Sequence, residues 1–178
     1  MLNLLSGLQY PKSKLIILSL LTLNALLYLL VDTLTSALDA ITWLILLVLY
    51  ELEANEVRLP LSTFQLQQVR NGLIAVIVFV FFSYLFEGDW LDVLNTLLWF
   101  ALVVMLELEM RRPEWASEHA RLMTLSTVSI FIGLIGVAVL WGWQQAWLDA
   151  YDAALWIAAF GFIEVDVFQW LQRAKLTR

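Results

Sequence analysis

The stretch DAYDAALWIAAFGFIEVD, residues 149–166, has the apolar composition of a membrane-spanning helix, yet it carries four carboxylates and a tryptophan. The same arrangement occurs twice before it, as SALDAITWLILLVLYELE at residues 36–53 and DVLNTLLWFALVVMLELE at residues 92–109. The three copies align over eighteen positions without a gap, at intervals of 56 and 57 residues. Repetition at this length predicts one supersecondary unit that is used three times.

The composition of the whole chain predicts a polytopic α-helical membrane protein. Hydrophobic residues make up 62% of the 178 residues and charged residues only 15%, against roughly 45–50% and about 25% in soluble domains. The absence of cysteine excludes disulfides and thiolate metal sites. The net charge of -6 leaves no basic surface for nucleic acid.

The order of apolar segments and turn signals predicts six transmembrane helices in three tandem hairpins. Helices are expected near residues 15–31, 37–52, 60–86, 90–108, 113–141 and 147–172, and each hairpin opens at one of the prolines Pro11, Pro60 and Pro113. Ser62 and Gln65 have the spacing of a capping box at the start of the third helix. We therefore expect a single transmembrane domain over residues 1–178, with repeats near 11–56, 57–110 and 111–172 arranged about a pseudo-three-fold axis.

Basic residues predict the orientation in the membrane. All ten lie in the N-terminal segment, the two long linkers or the C-terminal tail, and the three short connections contain none. The positive-inside rule then predicts cytoplasmic N- and C-termini, and we expect a bacterial inner-membrane protein without a cleaved signal peptide. Two aromatic belts are expected, one of Trp90, Trp141, Trp143 and Trp147, and one of Trp115 and Trp170.

The repeated polar positions form columns at the two ends of the second, fourth and sixth helices. At 100° per residue, four of these columns share one face of about 100° and the Glu51 column flanks it. Carboxylates that face lipid cost a few kcal/mol each, so these three helices are expected to line the centre of the bundle. The columns are Ser36/Asp92/Asp149, Asp39/Asn95/Asp152, Trp43/Trp99/Trp156, Glu51/Glu107/Glu164 and Glu53/Glu109/Asp166.

Three converging acidic columns favour a cation channel or transporter. Rings of carboxylates select cations and dry constrictions gate them, so the acidic positions and Asn95 are candidates for the cation path and the tryptophans for its constriction. With no cysteine and His119 as the sole histidine, hard cations (Mg²⁺, Ca²⁺, Na⁺, K⁺) or protons are the expected ligands. The metal is not identified by the sequence, no cofactor is expected, and the lipid bilayer is the expected partner.

The same residues also have purely structural interpretations. Aspartates at helix starts cap free amides and complement the helix dipole, the glutamates can pair with linker arginines, and the tryptophans can simply pack. A non-catalytic subunit or assembly factor of a larger membrane complex is therefore the main alternative, and a lipid or small-molecule binder is another. No phosphate loop, nucleophile elbow or paired histidines occur, so no enzyme is expected, and His119 is expected on the surface.

Overall fold

The computed structural model describes residues 12–54 and 62–176, and side chains within residues 15–52 and 62–161 except those of Thr63 and Met110. The described chain is all-helical. Its seven helices are α1 (Lys12–Val31), α2 (Leu34–Ala54), α3 (Thr63–Glu87), α4 (Trp90–Arg111), α5 (Pro113–Glu118), α6 (Ala120–Trp143) and α7 (Trp147–Leu176). The predicted all-α class is confirmed.

The six long helices contact one another in a closed ring. Each packs against the long helix before and after it in the chain, and α1 also packs against α7. The odd-positioned helices α1, α3 and α6 therefore each lie between two of the repeat helices α2, α4 and α7. Among the described residues, the backbones of α2, α4 and α7 do not contact one another. Only side chains can bridge the space between them.

One short connection joins the two helices of each hairpin (α1–α2, α3–α4 and α6–α7). All three connections lie at the same end of the bundle, which we call the turn end. The opposite end is the linker end. At the turn end, the carbonyl oxygens of Tyr28, Tyr84 and Trp141 accept backbone hydrogen bonds from Asp32, Asp89 and Ala146, at 2.9–3.1 Å. These three acceptors are 56 and 57 residues apart. The turns therefore recur at the interval of the sequence repeat.

Local signals at helix ends agree with the structure where the chain is described. Ser62 caps α3, and both halves of the predicted capping box with Gln65 are formed. Gly88 ends α3 in the left-handed conformation, with φ at 84°. The second helix begins at Leu34, earlier than the predicted residue 37, because the Thr33 hydroxyl accepts the amide of Ser36 and so caps the helix. Pro11 and Pro60 lie outside the described residues.

The predicted continuous helix from residue 113 to 141 is wrong. The chain instead forms the six-residue helix α5, with Pro113 in its first turn, and then breaks at His119 before α6 begins. The His119 ring stacks on Trp115 with centroids 4.5 Å apart, and both side chains are exposed. The polar linker therefore contributes a separate turn of helix, because Pro113 can open a helix without the apolar span needing to start there.

Four of the described helices are long and apolar enough to cross a membrane: Leu34–Leu52, Phe64–Glu87, Trp90–Glu109 and Ala120–Trp143. The apolar part of α1, Leu15–Val31, is shorter. The side chains of α7 beyond Gly161 lie outside the described residues. Large apolar side chains are exposed along these helices, which is the surface that a lipid-embedded bundle presents.

Gly88 is expected to be required for the turn between α3 and α4. A Cβ at φ 84° is strained although no atom lies within 4 Å of its position, so Gly88→Ala should lower the free energy of unfolding by about 1 kcal/mol. Unfolding by dodecyl sulfate in mixed micelles measures this change. Gly72→Ala is the matched control, since it adds a methyl in open space within α3 and should stabilise by about 0.5–1 kcal/mol. Equal effects of the two substitutions would contradict the prediction.

Candidate functional site

Three repeated polar residues form a layer inside the turn half of the bundle. Asp39, Asn95 and Asp152 are each the sixth residue of their helix, about 7.5 Å along the axis from its start. The Asp39 carboxyl has Asp152 and Asp92 as its acidic neighbours, which lie on two other helices. The structure thus brings the acidic residues of α2, α4 and α7 together at this end. We call Asp39, Asn95, Asp152 and the neighbouring Asn24 the polar layer.

Asn24 of α1 completes this layer from a helix outside the repeated stretches. Its side-chain amide donates a hydrogen bond of 2.7 Å to Asp152 Oδ1. The Asn24 side chain has 0% of its surface exposed. Because α1 and α7 are 128 residues apart at this contact, the bond also closes the ring of helices. In the sequence, Asn24 is the one strongly polar residue within the apolar stretch of residues 15–31.

Tyrosine hydroxyls line the layer one turn nearer the turn end. Tyr28 donates a hydrogen bond of 2.7 Å to Asp149 Oδ1. Tyr84 is the equivalent residue on α3 and has Ser36 and Asp39 as neighbours. Asp149 and Ser36 are equivalent positions of the repeat. Two copies of the unit therefore place a buried tyrosine beside the same position of the repeat.

The odd-positioned helices carry a repeated buried face that the sequence analysis missed. The face consists of three positions, and each recurs in the three helices at intervals of 56 and 57 residues, as the acidic columns do. All nine side chains are at most 6% exposed. These positions recur in the sequence at the repeat interval, but the residues around them are apolar as well. The pattern of apolar residues therefore did not distinguish the buried face. The face consists of Leu21/Ile77/Leu134, Asn24/Val80/Val137 and Tyr28/Tyr84/Trp141.

The aromatic-belt prediction is wrong for Trp141. This side chain is buried with Val137 and Ala153 in the core, because it occupies the position of the two buried tyrosines. The other three tryptophans of that belt, Trp90, Trp143 and Trp147, are exposed at the turn end. At the linker end Trp115 is exposed and the side chain of Trp170 lies outside the described residues.

Three oxygen atoms of the polar layer are buried without a hydrogen-bond partner: Asn24 Oδ1, Asp39 Oδ1 and Asn95 Oδ1. All three are acceptors in this arrangement. The sequence places no Lys, Arg or His within residues 15–57, 71–110 or 122–172, so the basic residues of these helices all lie at the linker end, away from the aspartates of the polar layer. Buried polar groups without partners are costly. The layer therefore requires hydrogen-bond donors or positive charge from outside these helices.

The repeated tryptophans meet one turn further toward the linker end, about 6 Å below the polar layer. Trp156 lies edge-on to Trp43 and Trp99, with centroids 6.4 and 6.2 Å apart. Phe160 packs on Trp99 at 4.9 Å. Trp43 and Trp156 each lie one turn after the aspartate of the polar layer on the same helix, Asp39 and Asp152, and neighbour it. Trp99 and Trp156 are each 6% exposed, so the aromatic rings fill the space between α2, α4 and α7.

The acidic residues at the linker end are arranged differently. Glu107 pairs with Arg111 on its own helix, and its side chain is 46% exposed. Glu51 and Glu109 are half-buried, and Glu51 has an interaction partner. The side chains of Glu53, Glu164 and Asp166 lie outside the described residues. At this end the described glutamates do not form a buried acidic layer.

Metal-ligand clusters are absent from the part of the chain described here, in the sense that no three His, Asp or Glu side chains converge closely enough to hold a metal ion. The polar layer contains two carboxylates, Asp39 and Asp152, which lie on separate helices. Its other two members are the amides of Asn24 and Asn95. This donor set is all oxygen. It suits a small hard cation or a proton in preference to a transition metal.

Comparison of the chain with protein-family models, with curated proteins and with solved structures finds no match. The site is therefore interpreted from its own chemistry.

The tryptophan layer is expected to contribute strongly to stability. Trp156→Ala removes a buried ring from the centre of the largest core cluster and should lower the free energy of unfolding by about 3–5 kcal/mol. Trp143→Ala is the matched control, because Trp143 is 86% exposed and its removal should change stability by no more than about 0.5 kcal/mol. Denaturant titration in detergent measures both. A small effect of Trp156→Ala would show that the rings are not tightly packed.

Proposed function

We propose that the protein binds a cation at the polar layer and moves it across the membrane. The observation that supports this most directly is the set of buried, unpartnered oxygens among Asn24, Asp39 and Asn95, next to the carboxylate of Asp152. Ionisable residues buried inside apolar bundles typically belong to ion pathways or proton relays. A structural cap would need only the helix-start aspartates and would leave no unpartnered oxygen this deep.

The charge of the layer favours a cation over an anion or a neutral ligand. The carboxylates of Asp39 and Asp152 repel each other electrostatically, and no basic side chain lies in this part of the interior. At low dielectric, two neighbouring carboxylates cannot both remain charged without compensation. A hard cation or a proton supplies that compensation. The amide oxygens of Asn24 and Asn95 supply further acceptors for it.

The tryptophan layer favours gated movement over an open pore. Trp43, Trp99 and Trp156 close the centre directly below the polar layer. A cation that leaves the layer toward the linker end must therefore displace these rings. Since the indoles of Trp43 and Trp156 neighbour Asp39 and Asp152, a change in the charge of either aspartate acts on its tryptophan. We propose that this coupling opens the path.

The proposal includes six spans around a pseudo-three-fold axis and cytoplasmic termini in a bacterial inner membrane. The closed ring of helices, the equivalent turns and the repeated buried face support the three-fold arrangement. The distribution of the ten basic residues supports the orientation. In that orientation the polar layer opens toward the outer surface. The protein then acts by transport and needs no catalytic group or cofactor.

Flux through reconstituted liposomes tests the transport function. Asp39→Asn and Asp152→Asn remove one charge each from the polar layer, and at least one of them should reduce flux of the transported cation by about tenfold or more. Ion-sensitive dyes for H⁺, Na⁺, K⁺ and Mg²⁺ inside the liposomes measure the flux. Asp32→Asn is the matched control, since Asp32 is exposed at the turn end and its carboxylate accepts only the neighbouring Thr33 amide. Its flux should equal that of the parent.

A parent protein that moves none of these cations faster than protein-free liposomes would overturn the transport function. Unchanged flux in both aspartate variants would overturn the polar layer as its path.

Single-cysteine labelling tests the orientation, because the chain contains no cysteine of its own. Gln144→Cys at the turn end is expected to react with a membrane-impermeant maleimide in intact cells. Ser117→Cys in α5, at the linker end, should react only after the membrane is permeabilised. Both positions are exposed, so a difference in labelling reports the side of the membrane. The reverse pattern would contradict cytoplasmic linkers.

A further inference from the structure

We infer that Asp39 is the carboxylate of the polar layer that exchanges its cation, and that Asn24 makes it so by holding Asp152. The ligand class is a single monovalent positive charge, either a proton or an alkali cation. This inference rests on the site described under the proposed function and adds which group in it is mobile. It follows from one departure from the repeat.

Asn24 is the residue that breaks the equivalence of the three units on the buried face of α1, α3 and α6 beside the polar layer. Its counterparts at intervals of 56 and 57 residues are Val80 on α3 and Val137 on α6, both at most 2% exposed. Each of the three positions lies one turn before the aromatic residue that precedes a turn. At this position two of the units therefore have an apolar valine side chain, and the first has an amide that can both donate and accept hydrogen bonds.

Val80 has the position on α3, relative to Asp39 on α2, that Asn24 has on α1 relative to Asp152 on α7. Asn24 lies one turn before Tyr28, whose hydroxyl bonds Asp149 and which neighbours Asp152. Val80 lies one turn before Tyr84, which neighbours Ser36 and Asp39. The helix pairs α1–α7 and α3–α2 are both in contact. The surroundings of the two aspartates differ in two equivalent positions: Asn24 against Val80, and Asp149 against Ser36 one turn earlier on the same helix.

The difference decides how each carboxylate is compensated. An amide N–H from Asn24, at 2.7 Å, stabilises charge on Asp152 permanently. Asp39 receives nothing from Val80, and its Oδ1 is buried without a partner. The third position, Asn95, is neutral and can only offer its unpartnered oxygen. Asp39 is therefore the carboxylate that needs a mobile positive charge.

The charged and titratable groups around Asp39 all increase this need. Asp152 faces it from α7 and Asp92 from α4, and Tyr84 lies beside it on α3. On α1 the nearest ionisable group of this end is Tyr28, which is engaged with Asp149. None of these groups is a base. One exchangeable carboxylate in this field corresponds to one positive charge bound per chain.

Infrared difference spectroscopy of the reconstituted full chain, labelled with ¹³C-carboxyl aspartate, tests the assignment. Acidic-minus-alkaline spectra at constant salt detect a buried aspartic acid that loses a proton. Spectra in sodium or potassium against choline, at constant pH, detect an alkali cation on a carboxylate. A signal in either comparison identifies the source of the charge, and Asp39→Asn should abolish it while Asp152→Asn leaves it. Survival of the signal in Asp39→Asn would overturn the inference.

Exchanging the two side chains opposite the aspartates gives a second, independent test. The double variant Asn24→Val/Val80→Asn moves the amide donor from Asp152 to Asp39. The exchange signal should then be abolished by Asp152→Asn and survive Asp39→Asn, the reverse of the parent. If Asp39 still carries the signal in the exchanged background, Asn24 is not what selects it. If the exchanged chain does not fold, Asp39→Asn and Asp152→Asn in the parent chain still decide which aspartate carries the exchange signal.

These outcomes are separate from those of the flux assay. A parent that shows the exchange signal and no flux overturns transport and keeps the assignment of Asp39. Flux that is lost in Asp152→Asn and intact in Asp39→Asn overturns the assignment and keeps transport.

Discussion

The structure depends on how a few polar side chains are accommodated inside an apolar helical bundle. In such an interior every polar group needs a partner from the protein, because water is not present to supply one. The hydrogen bond between Asn24 and Asp152 meets this need across the seam where the first and last long helices join. The same hydrogen bond therefore joins α1 to α7 and belongs to the polar layer at the centre of the bundle. Oxygen atoms of Asn24, Asp39 and Asn95 remain without a partner, and Asp39 is the one carboxylate among them.

Repetition provides the frame, and small departures from it provide the chemistry. The same positions are buried in all three units, including the tyrosine or tryptophan before each turn. Within that frame Asn95 replaces an aspartate, Ser36 replaces another, and Asn24 stands where two valines stand. Each replacement changes charge or hydrogen bonding and leaves the packing almost unchanged. Equivalent positions of the sequence repeat can thus contribute side chains of different charge to one polar layer.

The two ends of the repeat helices serve different purposes. Near the turn end, the aspartates lie among tyrosines, an asparagine and the tryptophan layer, away from any basic residue. Near the linker end, Glu107 is half-exposed and paired with Arg111, where solvent screening weakens its field. Equal columns of acidic residues in the sequence therefore do not imply equal sites. Burial, which the sequence did not reveal, separates the two.

Much of the local structure could be predicted because its signals are short-range. The capping box of Ser62, the turn at Gly88 and the register of the repeated polar columns depend on neighbours within a few residues or on the repeat itself. The break at His119 was missed, since a proline at a helix start does not tell how far that helix continues. The repeated face with Ile77 and Leu134 was missed for another reason. Helix faces toward lipid and toward the core are both apolar, so periodicity has no contrast there.

By itself, the sequence determined the apolar helical class, the threefold repetition and the depth of the polar residues along their helices, because composition and spacing along a helix axis carry that information. Only the tertiary structure decided which helix meets which. That α1 closes on α7 brings Asn24 to Asp152, while Val80 meets the helix of Asp39. Residues so far apart in the chain have no local interaction to mark the pairing. It is determined only when all six long helices pack into one ring, and with it the different surroundings of two otherwise equivalent aspartates.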